Sequence, residues 1–165
     1  MSRSLTRCAR LGALALAAAL LAALPARAEV RPFVAGSLAA IEAGRSGKPF
    51  IAAFWSADCT HCPGELKALG ELSRRYPALD IVLIATDSPA AAPLLARLAE
   101  SYGLGRQEQW VFADQQSERL RFEIDRRWYG ELPRSYFYDR QHRRQGRSGI
   151  VPAGQLETWA AEHVK

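Results

Sequence analysis

The stretch Phe50-Ile51-Ala52-Ala53-Phe54-Trp55-Ser56-Ala57-Asp58-Cys59-Thr60-His61-Cys62 decides how the rest of the chain is read. Its first six residues are almost wholly apolar, which suits a central strand covered on both faces. From Cys62 to Tyr76, Leu66, Leu69 and Leu72 recur at helical spacing, and Pro77 stops the run. A strand therefore feeds directly into a Cys-x-x-Cys at the start of a helix. Unpaired backbone N–H groups and the macrodipole at such a point favour an anion, so the first sulfur can ionise near neutral pH.

Outward from this unit, strands and helices alternate. Residues 29–36 read as an extended lead-in, Ser37 as the cap of a short helix through Ala43, and residues 44–49 as a turn. Asp80 to Thr86 is a second buried strand. Ser88 is expected to cap a helix through Tyr102, with Leu94, Leu95 and Leu98 inward and Gly103 ending it. Trp110 to Ala113 reads as a short strand, and Ser117 to Asp125 as a helix with Leu120 and Ile124 one turn apart. Ser135 to Tyr138 and Gln145 to Ile150 flank a polar turn and predict an antiparallel hairpin; Gly154 to Val164 closes the chain as a helix. The pattern predicts an α/β fold: a mixed central sheet flanked by helices, with right-handed crossovers.

The chain has 165 residues, 48% apolar and 24% charged, which leaves room for one ordinary globular domain. Its formal charge of +5 invites a nucleic-acid reading, but Arg3, Arg7, Arg10 and Arg27 all fall within residues 1–28. Setting them aside leaves 18 basic against 17 acidic residues, no footprint for a polyanion. Leu11 to Leu24 contains only Leu, Ala and Gly, with three arginines before it and Pro25-Ala26-Arg27-Ala28 after it. Charged start, short greasy middle and small-residue exit are the parts of a secretory signal peptide, cleaved after Ala28. The apolar run is shorter than the roughly 20 residues a spanning helix needs, so an uncleaved anchor is the second choice. The division expected is 1–28 signal peptide and 29–165 folded domain, delivered outside the cytoplasm.

Cys8 precedes the greasy run, where no function in an exported protein is expected of it. The exported part then holds a single cysteine pair, Cys59 and Cys62. A disulfide closing so small a loop removes little unfolded-state entropy, so chemistry explains the pair better than stapling does. Cys59 reads as the nucleophile, and Cys62, one turn further in, as the resolving thiol that attacks a mixed disulfide and releases the product. The alternative of half a zinc site lacks a second Cys-x-x-Cys. No phosphate loop, serine triad or paired carboxylates at hydrolase spacing appear, and no small-molecule cofactor, metal or nucleic acid is expected.

These residues resemble a family. Trp55 before Cys59 and Cys62, Glu65 three residues after the second cysteine, and Leu132-Pro133 opening Tyr136-Phe137-Tyr138-Asp139 make residues 45–164 similar to the thioredoxin-fold periplasmic thiol-disulfide oxidoreductases of the TlpA/ResA group. The resemblance implies a thioredoxin-like fold and disulfide exchange with cysteine-containing exported proteins. It also implies recycling by a membrane redox partner of the DsbD or DsbB kind. Pro133 would be the cis-proline facing the disulfide, although strand entrances tolerate proline for ordinary reasons too. Backbone at Leu132 would pair with a substrate strand, and Trp55 would shape the substrate groove.

Departures from the family pattern carry their own expectations. Thioredoxins keep a buried acid where this chain has Ala53, and a helix-kinking proline where it has Lys67. Proton transfer at Cys62 then needs another group; Glu65 is the candidate, with a solvated helix residue as the plain alternative. His61 resembles the histidine between the cysteines of DsbA-type oxidants, and an imidazolium beside Cys59 favours the thiolate and an oxidant or isomerase. The scaffold as a whole favours a reductant, which is the reading preferred. A Sco-like copper-binding or copper-delivery module is the rival from another class. Its cysteines are spaced by three residues, not two, and His142 and His163 fit poorly as further ligands. Trp110, Phe112, Trp128, Tyr129, Phe137 and Trp159 read as core and lip aromatics. Arg126 and Arg127 read as a solvated pair or as a steering patch for acidic partners. Arg140, Arg143, Arg144 and Arg147 are expected only to keep the far hairpin turn soluble.

Overall fold

The computed structural model describes residues 28–164. The proposed leader falls outside the described residues except for Ala28. Among the described residues six strands form one sheet in the order β1-β4-β3-β2-β5-β6. The strands are β1 (Val30–Phe33), β2 (Phe50–Trp55), β3 (Asp80–Ala85), β4 (Glu108–Phe112), β5 (Arg134–Tyr138) and β6 (Arg144–Ser148). The helices are α1 (Ser37–Ala43), α2 (Cys62–Arg75), α3 (Ala92–Ser101), α4 (Ser117–Ile124) and α5 (Ala153–His163). Strands β1 to β4 are mutually parallel where they pair, whereas β5 runs antiparallel to β2 and β6 antiparallel to β5. The sheet is mixed, as the alternation and the terminal hairpin require.

Strand β2 is central because every one of its residues is buried. Successive side chains point to opposite faces. Ile51, Ala53 and Trp55 join the core under α2, α3 and α5, with Leu66, Leu69, Leu72, Leu95 and Leu156. Phe50, Ala52 and Phe54 join the core under α1 and α4, with Leu38, Ile41, Leu120 and Ile124. The second layer is aromatic: Phe50 stacks on Tyr138 at 4.2 Å and Phe54 meets Trp128 at 5.0 Å between ring centroids. Burying both layers removes water from a near-continuous apolar surface, which is the main force holding the sheet between its helices.

Helix α2 lies close against the end of α3. A Cβ on Gly70 would fall 1.9 Å from the carbonyl oxygen of Tyr102, so only glycine permits this approach. Gly103, at φ +77°, then turns the chain out of α3. At the other end of the sheet Arg45 clamps Asp80 and Glu108 at 2.9 and 2.7 Å, tying the starts of β3 and β4 to the loop before β2. No helix of the described residues is long and apolar enough to cross a membrane.

Five sequence expectations need correction. The lead-in contains β1, an edge strand parallel to β4. Ser37 is the first helical residue, not a cap; Gly36 caps at φ 82°, and Ser37 Oγ accepts the N–H of Val34. Ser88 likewise makes no side-chain cap, because a 3-10 turn at Pro89–Ala91 comes before α3. Leu94 faces water at 42% exposure, while Leu95 and Ala99 are buried. At 100° per residue Leu94 lies well off the face that Leu95 and Ala99 share. The hairpin arginines do more than solvate: Arg144 donates to the Ile124 carbonyl at 2.8 Å with its guanidinium 4.7 Å above the Tyr136 ring, and Arg143 pairs with Asp139 at 2.7 Å.

Candidate active site

Strand β2 ends where Thr86 N–H donates to the Trp55 carbonyl at 2.9 Å. The chain then turns through Ser56, Ala57 and Asp58 and enters α2 at Cys62, with His61 as the N-cap residue. Pro63 sits in the first turn, where a missing N–H costs no helical bond. Cys59 and Cys62 are joined by a disulfide with their Cα atoms 5.4 Å apart. Cys62 is wholly buried and Cys59 is half-buried. The backbone N–H of Cys62 lies 3.1 Å from Cys59 Sγ, so one of the unpaired donors of the helix start is already directed at the outer sulfur. This geometry suits an anionic sulfur at Cys59 and a covered one at Cys62.

The antiparallel register of β2 and β5 pairs Phe54 with Arg134, which sets Pro133 level with Trp55 at the sheet end from which the cysteine loop departs. The Leu132–Pro133 peptide is cis. The Pro133 carbonyl accepts the Gly149 N–H at 2.8 Å, extending the β5–β6 ladder on that side. Leu132 is half-buried and packs against both cores. Trp55 is 3% exposed and lies beneath the loop, its indole Nε1 without a hydrogen-bond partner among the described residues. His61 is exposed and makes no side-chain cap.

Glu65 follows Cys62 by three residues and is 1% exposed, so it is no solvated helix residue. Its Oε1 accepts from Ser135 Oγ at 2.7 Å and its Oε2 from the Val151 N–H at 2.8 Å. Burial raises its pKa above the ordinary carboxyl value, while the Val151 and Ser135 hydrogen bonds pull in the opposite direction. Ser135 stands directly opposite Ala53 across the β2–β5 ladder. The Glu65 carboxylate is thus held from the helix by the residue that faces Ala53 across the ladder.

Ser135 and Val151 hold Glu65, and Asp87 accepts from Ser56 Oγ and the Ala57 N–H at 3.2 Å beside the cysteine loop; the sequence alone singles out none of these four. In the sequence Ser135 is only one residue of a strand, and a backbone donor such as Val151 leaves no mark. Asp87 could have been noticed as the acid just beyond the carboxyl end of a parallel strand, where α/β sheets collect their functional groups. His142 sits in the β5–β6 turn with Nε2 2.9 Å from the Arg45 oxygen, and His163 lies beside Trp159. Neither joins the cysteines.

A parallel-to-antiparallel mixed sheet, a Cys-x-x-Cys at the start of α2 and a cis-proline level with it define the thioredoxin fold. No protein-family model matches the chain, and no curated protein matches it in sequence. Solved structures do. A secreted Mycobacterium tuberculosis disulfide oxidoreductase, homologous to E. coli DsbE, is 22% identical with a TM-score of 0.57, covering 73% of this chain and 85% of that one. A thiol:disulfide interchange protein of the thioredoxin family from Chlorobium tepidum is 15% identical with a TM-score of 0.59, covering 74% and 84%. A DsbF homologue from Corynebacterium diphtheriae is 15% identical with a TM-score of 0.57, covering 73% and 74%. The fold of this chain is theirs.

Proposed function

We propose that the chain is a periplasmic thiol-disulfide oxidoreductase that exchanges disulfides with cysteine-containing exported proteins and works as a reductant. The observation that carries this reading is the asymmetry of the pair: a half-buried Cys59 facing a backbone donor, disulfide-bonded to a fully covered Cys62. In the reducing direction the Cys59 thiolate attacks a substrate disulfide; an S–S bond forms to the substrate, and the leaving substrate sulfur takes up a proton. Cys62 then gives its proton to Glu65 and attacks Cys59 Sγ, which closes the protein disulfide and expels the second substrate sulfur as a thiol once protonated. The substrate gains two electrons and two protons. A membrane redox partner of the DsbD kind returns them to the pair.

Leu132 offers its backbone to an extended substrate segment, and Trp55 shapes the substrate groove from its place in the core beside Cys59. Residues 1–28 act as the export signal and 29–165 as the working domain. The neighbours named above, among them a secreted disulfide oxidoreductase, support the reading. The opposite direction, a DsbA-like oxidase or isomerase served by a DsbB-like partner, is favoured by one residue, His61 between the cysteines. The reduction potential of the pair separates the two. A value near the thioredoxin end, about -270 mV, is expected, and one near the DsbA end, about -120 mV, refutes the reductant. Trapping tests the exchange itself: Cys62→Ser is expected to retain a substrate peptide on Cys59 as a stable mixed disulfide, and the absence of any adduct refutes it.

A further inference from the structure

We propose that Asp87 is a positioning residue for the reacting sulfur, holding the cysteine loop so that the Cys62 N–H stays on Cys59 Sγ. The inference rests on the reading of Cys59 as the attacking sulfur. Asp87 stands just past β3, on a different segment from the β2–α2 loop that carries Cys59, and its Oδ1 accepts from Ser56 Oγ and from the Ala57 N–H, each at 3.2 Å. Its Oδ2 lies 3.3 Å from the same N–H. Ser56 Oγ in turn accepts the Asp58 N–H at 3.2 Å, and the Cys59 N–H donates to the Ser56 carbonyl at 3.3 Å. One carboxylate thereby fixes, directly or through Ser56, the three residues between the end of β2 and Cys59.

Among the described residues, those three carry no other long-range hydrogen bond. The strand bond from Thr86 stops at Trp55, and the helix begins only at Cys62. Without the Asp87 clamp the turn is free to shift relative to the helix start, and the 3.1 Å contact from Cys62 N–H to Cys59 Sγ is the contact that shift disrupts. Loss of a donor to an anionic sulfur raises its pKa. The direction is diagnostic, because the charge of Asp87 acts the other way: a nearby carboxylate disfavours a thiolate. Among the described residues, the titratable groups on the cysteine segment are Asp58 beside Cys59, His61 at the helix cap and Glu65 after Cys62, and Asp87 meets the loop from beyond β3. From β5, Arg134 is occupied by Asp125 and Ser148, and Gly149 to Val151 bring no charge. Removing Asp87 by electrostatics alone must therefore lower the Cys59 pKa; removing it as a clamp must raise it.

The test is the pH dependence of Cys59 alkylation in the reduced chain, read by peptide mass spectrometry, for wild type, Asp87→Ala, Asp87→Asn and Ser56→Ala. Asp87→Ala is expected to raise the midpoint by about one unit, roughly a tenfold loss of thiolate at neutral pH. Asp87→Asn keeps an oxygen acceptor for the loop and is expected to leave the midpoint at or below that of the wild type. Ser56→Ala, which removes the Ser56–Asp87 and Asp58–Ser56 bonds but leaves the Ala57 N–H on Asp87, is expected to raise it by about half a unit. A midpoint for Asp87→Ala that is unchanged or lowered overturns the proposal. Should that variant not fold, an unchanged midpoint in Ser56→Ala overturns it instead. If wild-type Cys59 labels with a midpoint below the free-cysteine value of about 8.5 while the variants do not move, the clamp alone is wrong. If wild-type Cys59 does not label, the reading beneath it falls as well.

Discussion

Replacing Glu65 by Gln tests the buried acid where its effect is largest. The glutamine has the same shape: its carbonyl oxygen can accept the Val151 N–H and its amide can donate to Ser135 Oγ, so packing is preserved while the titration is removed. Burial holds the native pKa of Glu65 above the ordinary value of 4.5. Below 4.5 both folded and unfolded chains carry the proton and the acid contributes no penalty. As pH rises past 4.5 the unfolded chain ionises first, and wild-type stability falls until the native value is passed. The fall reaches at most about 1.4 kcal/mol per pH unit. At about 3 °C per kcal/mol for a domain of this size, that is about 4 °C per unit. Thermal unfolding of the oxidised protein across a pH series is therefore expected to show Glu65→Gln gaining on the wild type as pH rises above 4.5. Parallel curves refute the buried-acid argument. In the same variant the Cys62-dependent release step is expected to slow at least about tenfold, with its pH profile flattened.

Two further predictions concern what holds the site in place. Gly70→Ala forces a methyl group against the Tyr102 carbonyl, and is expected to cost about 1–3 kcal/mol in urea unfolding; a neutral result contradicts the close approach of α2 to α3. Asp125 accepts the Arg127 N–H, Tyr136 Oη–H and Arg134, at 3.0, 3.1 and 3.2 Å, and its pKa is lowered first by the Arg127 backbone bond. Its contribution is present above the ordinary aspartate value of 3.8 and is lost as pH falls through its native value. Asp125→Ala is thus expected to unfold a few degrees below the wild type at pH 7, with the gap closing in acid; a gap that widens in acid contradicts the sign.

The parts of the fold legible in the sequence are those set by local pattern. Phe50 to Trp55 is apolar on both faces because it lies between two cores, and that alone marks it as central. Leu66, Leu69 and Leu72 mark the inner face of α2 for the same reason. Edge strand β1 was not legible, because Val30, Arg31 and Pro32 are partly or fully exposed and only Phe33 is buried. Leu94 and Leu95 stand side by side, and periodicity cannot say which one faces inward until Ala99 is seen to share a face with Leu95. At the site, Cys59, Cys62 and Pro133 stand out by spacing and residue type. Ser135 and Asp87 do not, since their roles depend on strand register: Ser135 faces Ala53, and Asp87 follows the strand next to β2. Glu65 was legible only as a candidate, because burial decides between a relay and a solvated side chain.

The central claim is that Cys59 is the sulfur that meets the partner and Cys62 the one held behind it. Brief alkylation of the reduced, folded chain at neutral pH, followed by peptide mass spectrometry, puts it most directly to the test. The account predicts label on Cys59 within the time that leaves Cys62 untouched, in keeping with a half-buried outer sulfur and a wholly buried inner one. Label accumulating first on Cys62, with Cys59 inert, contradicts it.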